Sequence, residues 1–221
     1  MAERIPAEKT AVVLIEPQND FLSPGGTMYA FIKDELARRN VIENLSLLLD
    51  GARERGVKVM YVPFHPFDHG FPELKEGGPG RAGLRGIEID MPADWGTGAW
   101  LKDTPGPEII EPLRPKRGDI VVEGKKTLDA FHSTALDYLL RANEIEYVAF
   151  TGFHTNWCVE SSARSAYDKG YRVMVLSDCT ATDTEEEQRY AEKFIFPKIG
   201  KVLNSTEFLQ AVESREPALV G

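Results

Sequence analysis

Cys158 stands where an apolar run gives way to a helical pattern, a place in the chain where a thiol can act as a nucleophile. Residues 147–150 are typical of a buried strand, and residues 159–167 are typical of a helix. The free N–H groups and the dipole of a helix's first turn favour a thiolate, so we expect the pKa of this thiol to lie below its ordinary value. The alternative is a small buried cysteine that behaves as an apolar side chain.

Glu16 and Lys125 are the residues that could act with this thiol. Glu16 directly follows the apolar run 11–15, and Lys125 comes shortly after the run 120–122. In an open parallel sheet the carboxyl ends of the strands meet at one edge, where ligands bind. A carboxylate at the edge of a core needs a partner, and Lys125 and Cys158 are the available partners of Glu16 there. A structural ion pair between Glu16 and Lys125 is the alternative.

Strand-like apolar runs alternate with helical patterns along the chain. The predicted strands are residues 11–15, 57–62, 119–122, 147–151, 172–176 and, with a weaker pattern, 201–203. Apolar residues recur at helical spacing within 41–52 and 136–140. This alternation predicts an α/β fold of three layers (α/β/α), in which a mostly parallel, Rossmann-like six-stranded sheet is the middle layer.

Length and composition fit one globular domain. The chain has 221 residues, of which 42% are hydrophobic and 28% charged, and we interpret residues 1–221 as a single domain with a polar N-terminal extension at 1–9. The net charge of −9 argues against nucleic acid or an anionic membrane surface as a partner. No apolar run approaches the ~20 residues that span a bilayer. The two cysteines, Cys158 and Cys179, fit free thiols in a reducing cytoplasm, where we expect the protein.

Residues 64–107 form a long segment rich in glycine and proline, without a sustained period. A loop of this length in a compact domain is usually functional, so we expect it to cover part of the active site or to contact another subunit. Its G-x-G-x-x-G motif at 78–83 neither follows a strand nor begins a helix, which argues against a phosphate site. The aromatic residues that could line a pocket for a small-molecule substrate are Phe21, Tyr29, Phe64, Trp100 and Trp157. Core or interface positions are the alternative for each of them.

Several blocks of the sequence resemble the signature blocks of the isochorismatase-like cysteine hydrolases. The blocks are EPQNDF at 16–21, GKK at 124–126 with AF at 130–131, TG at 151–152 with TNWCVES at 155–161, and DCTAT at 178–182. They occur in the family's order over nearly the whole chain. The family includes nicotinamidases, N-carbamoylsarcosine and ureidoacrylate amidases, biuret-type hydrolases and isochorismatases.

The resemblance implies a catalytic triad of Glu16, Lys125 and Cys158 in a hydrolase without a cofactor. Glu16 would take the proton of the thiol, and the ammonium of Lys125 would orient the carboxylate. The sulfur would attack an amide, carbamoyl or ureide carbonyl, with the backbone N–H groups of His154 and Cys158 holding the oxyanion. The resemblance also implies a cis peptide bond between Phe153 and His154. We expect a homo-oligomer, either a dimer or a tetramer.

Two residues depart from the family's pattern. The usual first-block residue is aspartate, and Glu16 is one methylene longer, so the same chemistry requires the backbone or Lys125 to retreat by about an ångström. His154 occupies a position that a smaller residue usually holds. It narrows the pocket or supplies a polar contact to the substrate, and the alternative is a passive, solvated histidine.

The sequence also departs from the metal-binding nicotinamidases. These enzymes bind a divalent metal through an aspartate and histidines after the second strand, and Pro63 stands here where the aspartate would be. Pro66 lies between His65 and His69, which argues against a metal site. Nicotinamide is a weaker candidate substrate for the same reason.

Two other functions stay open at this point. One is isochorismatase-type hydrolysis of a vinyl ether, against which Cys158 counts because family members with that activity generally lack the cysteine. The other is a catalytically silent scaffold or binding protein, in which Glu16 has lost the geometry of the aspartate.

Overall fold

The computed structural model describes residues 4–69, 72–73 and 100–213, and a six-stranded sheet lies at its centre. The strands are β1 (Ile5–Pro6), β2 (Thr10–Ile15), β3 (Lys58–Val62), β4 (Ile120–Val121), β5 (Tyr147–Phe153), β6 (Arg172–Ala181), β7 (Gly200–Leu203) and β8 (Val212–Glu213). The main sheet has the order β4-β3-β2-β5-β6-β7, and each neighbouring pair is parallel. Strands β1 and β8 form a separate parallel pair.

Helices connect these parallel strands. The α-helices in the described residues are α1 (Asn19–Leu22), α2 (Tyr29–Arg39), α3 (Val41–Glu54), α4 (Leu136–Ala142), α5 (Glu160–Asp168), α6 (Glu185–Tyr190) and α7 (Ser205–Ala211). The described residues also contain two π-helical turns (Thr155–Val159 and Ala191–Ile195) and three 3-10 turns (Ala7–Lys9, Glu111–Leu113 and Phe196–Lys198). None of these helices combines the length and the apolar composition that a membrane crossing requires.

Strand β2 is buried along its whole length and divides the core into two layers. Its side chains alternate between the faces of the sheet. Val12 and Leu14 belong to the core that α2, α3 and α7 complete. Val13 and Ile15 belong to the core that α4 and α5 complete. The predicted three-layer α/β/α fold with a parallel six-stranded sheet is therefore confirmed.

The largest difference from the predicted strand bounds is in β6, which continues to Ala181 instead of ending near residue 176. The sequence pattern ends at Leu176 because Ser177 and Asp178 are polar. In the structure the carboxylate of Asp178 accepts hydrogen bonds from the backbone N–H (2.7 Å) and the hydroxyl (2.6 Å) of Ser205 at the start of α7. These bonds satisfy the carboxylate, so the strand continues through a polar position.

The strand order reverses between β2 and β5, because β3 and β4 extend the sheet beyond β2 and β6 and β7 extend it beyond β5. Gly152 lies in β5 at this reversal, with a φ of 109°. A Cβ atom there would lie 2.1 Å from the backbone oxygen of Ile15 in β2. Only glycine allows this backbone conformation and this approach of the two strands at the place where α/β sheets bind ligands.

We expect Gly152→Ala to lower the free energy of unfolding by about 3 kcal/mol, because the added methyl group meets backbone that cannot move aside easily. Gly170→Ala is the matched control: Gly170 also has a positive φ (88°), but nothing lies within 4 Å of its Cβ position. Urea denaturation of both variants should show a clearly smaller loss for Gly170→Ala. Equal losses would mean that backbone conformation alone, and not the close approach to Ile15, decides the cost.

Candidate active site

Glu16, Lys125 and Cys158 come together beyond the carboxyl ends of the strands, as predicted. An Nζ–H of Lys125 donates to Oε1 of Glu16, and another donates to the backbone oxygen of Thr127 at 2.5 Å. The thiol of Cys158 lies within reach of both side chains. All three groups are shielded from solvent, with exposed fractions of 1% for Glu16, 0% for Lys125 and 5% for Cys158. The site is therefore a buried cluster of one carboxylate, one ammonium and one thiol.

Glu16 leaves strand β2 through a left-handed turn. Its φ is 53°, and its N–H donates to the backbone oxygen of Val62 in β3 at 3.2 Å. A non-glycine residue in this region carries a backbone strain of roughly 1–3 kcal/mol, which the surrounding contacts must offset. The ion pair with Lys125 is one such contact, so the turn and the position of the carboxylate depend on each other.

Lys125 is held in place by its own backbone. Its carbonyl accepts a hydrogen bond from the N–H of His65 at 2.6 Å, and it forms an isolated parallel bridge with Phe64. Its Nζ lies 5.3 Å from the centre of the Phe64 ring, a cation–π contact. These contacts bring a residue that follows β4 to the end of β2, two strands away in the sheet.

Cys158 lies in the π-helical turn Thr155–Val159 that precedes α5. Burial raises the pKa of its thiol, and the negative charge of Glu16 raises it further. Lys125 and the backbone N–H of His154 lower this pKa, but by less than the other two effects raise it. The pKa therefore lies above the ordinary value of a cysteine, and the predicted lowering of the thiol pKa was wrong.

The same burial affects Lys125. Desolvation lowers the pKa of its ammonium, but the negative charges that Cys158 and Glu16 can carry raise it, and the pKa lies above its ordinary value. Lys125 is therefore a permanent cation at neutral pH. The proton that can move within the cluster is the one on the sulfur. Oε2 of Glu16 is buried and makes no hydrogen bond to any described residue, so it is available to accept that proton.

The peptide bond between Phe153 and His154 is cis, as the family resemblance implied. The backbone N–H of His154 points to the sulfur of Cys158. The carbonyl of His154 accepts the N–H groups of Trp157 (3.2 Å) and Val159 (3.1 Å), which closes the turn around the thiol. The backbone N–H of His154 is thus a hydrogen-bond donor directly beside the sulfur.

The side chain of His154 is buried, with an exposed fraction of 1%. Its Nδ1 lies 3.0 Å from Oδ1 of Asp183, which follows strand β6. Its ring stacks on Trp157 with centroids 5.4 Å apart, and it meets the edge of Phe21 at 5.3 Å. The alternative of a passive, solvated histidine is wrong.

A model of the isochorismatase domain family matches residues 10–207, which contain all of these groups. The chain belongs to the isochorismatase domain family.

Relatives in this family align over most of the chain. The "uncharacterized isochorismatase family protein YwoC" of Bacillus subtilis is 31% identical over 209 residues, which cover 93% of this chain and 95% of that protein. The "ureidoacrylate amidohydrolase RutB" of Rhizobium rhizogenes is 34% identical over 178 residues, which cover 78% of this chain and 70% of that protein. Among solved structures, a cysteine hydrolase from Pseudomonas syringae pv. phaseolicola has a TM-score of 0.79 at 25% identity and covers 94% of both chains.

A series of aromatic contacts runs from Lys125 to His154 in this isochorismatase-domain site. Phe64, beside Lys125, lies 4.7 Å from Trp100, and Trp100 lies 5.5 Å from Phe21, which contacts His154. Phe21, Phe64 and Trp100 are buried together in this cluster. Tyr29, the remaining aromatic candidate, begins α2 and packs at the edge of the core on the side of α2 and α3.

Gln18 fixes both ends of the segment 64–107. Its Nε2 donates to the backbone oxygens of Phe64 (2.9 Å) and Pro107 (2.8 Å), and its Oε1 accepts the N–H of Phe64 (2.7 Å). Asp20 accepts the N–H of Trp100 (2.8 Å) and the hydroxyl of Thr27 (2.7 Å). These positioning roles were not predicted. Their only sequence signal is that both residues belong to the block that begins with Glu16.

The histidines after β3 contribute no metal centre that the described residues reveal. Nε2 of His69 lies 3.0 Å from the carbonyl oxygen of Lys102. Within residues 4–69, 72–73 and 100–213, no three His, Cys, Asp or Glu side chains are grouped to hold a metal ion. The G-x-G-x-x-G motif at 78–83 lies outside the described residues.

Proposed function

We propose that this chain is a cysteine-dependent hydrolase that cleaves a C–N bond of a small amide, carbamoyl or ureide substrate through a thioester. The observation that carries the proposal is the buried contact among Glu16, Lys125 and Cys158 where the strand order reverses. The names of two similar proteins support it, since one is a cysteine hydrolase and the other a ureidoacrylate amidohydrolase.

The first step follows from the protonation states in the cluster. The thiol is neutral in the resting site because its pKa is raised. As the sulfur attacks the carbonyl carbon, the S–H proton passes to Oε2 of Glu16, and the carbonyl oxygen becomes an oxyanion. The backbone N–H of His154, with that of Cys158, donates to this oxyanion. Lys125 stays protonated and keeps the carboxylate in line with the sulfur.

Collapse of the tetrahedral intermediate breaks the C–N bond. The protonated Glu16 gives its proton to the leaving nitrogen, which departs as ammonia when the substrate carries a terminal NH2 group, and the thioester remains on Cys158. A water molecule then attacks the thioester while Glu16 takes its proton, and the C–S bond breaks as Glu16 returns that proton to the sulfur. The products are a carboxylic or carbamic acid and the free thiol.

An ammonia-release assay over small amides, carbamates and N-substituted ureas tests the proposal. We expect release by the wild-type chain and its loss in Cys158→Ser, together with a substrate-dependent mass increase on Cys158 after rapid quenching. Cys179→Ala is the matched control, because Cys179 is equally buried but lies in the core with Asp178 and Ser205 as its neighbours. Activity retained by Cys158→Ser, or lost equally in Cys179→Ala, contradicts a role of Cys158 as the nucleophile.

A further inference from the structure

His154 carries a buried imidazole, and neither of its ring nitrogens makes a hydrogen bond to a described residue. Nδ1 lies 3.0 Å from Oδ1 of Asp183, close but without the alignment of a hydrogen bond, and neither atom has another partner. A small rotation aligns the two, as commonly happens when a site closes on its ligand. Nε2 also lacks a hydrogen-bond partner among the described residues. A buried polar nitrogen in that state is costly unless a ligand completes it.

The orientation of the ring directs Nε2 away from Asp183. The face of the imidazole stacks on Trp157 at an interplanar angle of 22°, and Phe21 meets it at 67°. The two aromatic rings therefore fix the plane of the imidazole, and the contact with Asp183 fixes its rotation about the Cβ–Cγ bond. The free nitrogen is held in one direction.

The backbone position of His154 indicates which part of a substrate Nε2 would meet. The backbone N–H of the same residue faces the sulfur of Cys158. In the proposed mechanism that N–H binds the oxygen of the scissile carbonyl. Because the imidazole belongs to the same residue, the mechanism would place Nε2 near the groups bonded to the carbonyl carbon.

The neighbouring carboxylate decides what Nε2 can recognise. A neutral imidazole has one N–H donor and one acceptor nitrogen. The negative charge of Asp183 beside Nδ1 favours the tautomer with the proton on Nδ1. Nε2 then presents a lone pair, which accepts a hydrogen bond from an N–H group and makes none with a CH2 group.

We propose that His154, oriented by Asp183, selects substrates with an N–H on the acyl side of the scissile carbonyl, such as N-substituted ureas, over carboxamides with a carbon atom there. The inference rests on the proposed function for the position of the carbonyl. Asp183 is a positioning residue in this scheme, since it acts on the substrate through the tautomer of His154.

The test uses pairs of compounds that differ in one group. Each pair is an N-alkylurea, R–NH–CO–NH2, and the carboxamide R–CH2–CO–NH2 with the same R. The measured quantity is the ratio of kcat/KM for the urea to kcat/KM for the amide. Because the intrinsic reactivity of each compound is the same with every variant, a change in this ratio reports recognition by the protein.

We expect His154→Phe, which keeps an aromatic ring but has no acceptor, to lower the ratio about 10-fold, the loss typical of one hydrogen bond with a buried partner. Asp183→Asn should lower it in the same direction, because an amide N–H beside Nδ1 moves the ring proton to Nε2. His154→Gln, which retains an acceptor oxygen, should restore part of the preference. A ratio that stays at the wild-type value in His154→Phe overturns the inference.

Calorimetric binding of the same pairs to Cys158→Ala separates this inference from the proposed function. One outcome is that the wild type hydrolyses neither compound, but Cys158→Ala binds the urea more tightly than the amide and the added change His154→Phe abolishes that difference. The proposed function then fails, and the recognition by His154 stands. If the wild type releases ammonia but the urea-to-amide ratio of kcat/KM is the same in His154→Phe, the proposed function stands and the inference fails. Absence of both turnover and preferential binding of the urea overturns both.

Discussion

Glu16→Gln is expected to lower kcat/KM for ammonia release by about 10²- to 10⁴-fold, the range that general acid–base catalysis usually contributes. The glutamine has nearly the same shape and can still accept a hydrogen bond from Lys125, so we expect the fold to be retained with a loss of stability, because the ammonium of Lys125 loses its counter-charge. It cannot take the proton of Cys158. Glu35→Gln is the matched control, because Glu35 is a buried glutamate in α2 whose carboxylate is paired with Arg38. Wild-type activity in Glu16→Gln would exclude Glu16 as the base.

The same substitution should change the reactivity of the thiol in the opposite direction. The charge of Glu16 raises the pKa of Cys158, whereas Lys125 lowers it. Removal of the carboxylate charge therefore lowers the thiol pKa, and a larger fraction of Cys158 is thiolate at any pH below that pKa. Iodoacetamide should react faster with Glu16→Gln than with the wild type at pH 8, with Cys179→Ala in both backgrounds so that only Cys158 reports. Slower alkylation would contradict the assigned charge balance.

Lys125→Met should lower the free energy of unfolding by about 3–5 kcal/mol, the cost of leaving one member of a buried ion pair without its partner. Glu16 would remain in the core with its carboxylate uncompensated. Urea denaturation at neutral pH measures the effect. Lys9→Met is the control: Lys9 forms an ion pair with Glu146 at 2.6 Å, but at the surface, and we expect no resolvable change there.

The double variant Glu16→Gln/Lys125→Met tests the reason for that loss. With both charges removed, no unpaired ion is buried, so a substantial part of the stability lost in Lys125→Met should return. Activity should not return, because Glu16 is the base in the proposed mechanism. If the double variant is as unstable as the sum of the two single changes, packing around Lys125 and not the unpaired charge is responsible.

The sequence predicted the sheet and the meeting of the three chemical groups because both follow from simple rules. Alternating apolar runs and helical patterns predict a parallel sheet, and the carboxyl ends of such strands meet at one edge. Glu16 and Cys158 follow neighbouring strands at the reversal of strand order. Lys125 is brought there from two strands away by the contacts of its backbone with Phe64 and His65.

The properties that sequence could not give depend on contacts between distant segments. The thiol pKa was predicted from the local helix terminus, but burial and the charge of Glu16 decide it. Gln18 and Asp20 hold backbone groups at Phe64, Pro107 and Trp100, more than 40 residues away along the chain. The contact of His154 with Asp183 likewise joins the ends of two different strands. A pattern with a period of a few residues carries no information about such pairs.

The separation of Glu16, Lys125 and Cys158 along the chain has a consequence for folding. The ion pair joins residues 109 positions apart, and Cys158 follows 33 residues after Lys125. No single hairpin or strand–helix unit contains two of these groups, so the cluster can form only when both halves of the sheet have joined. During refolding, catalytic competence should therefore emerge late, after most secondary structure is in place, and would serve as a marker of the completed molecule.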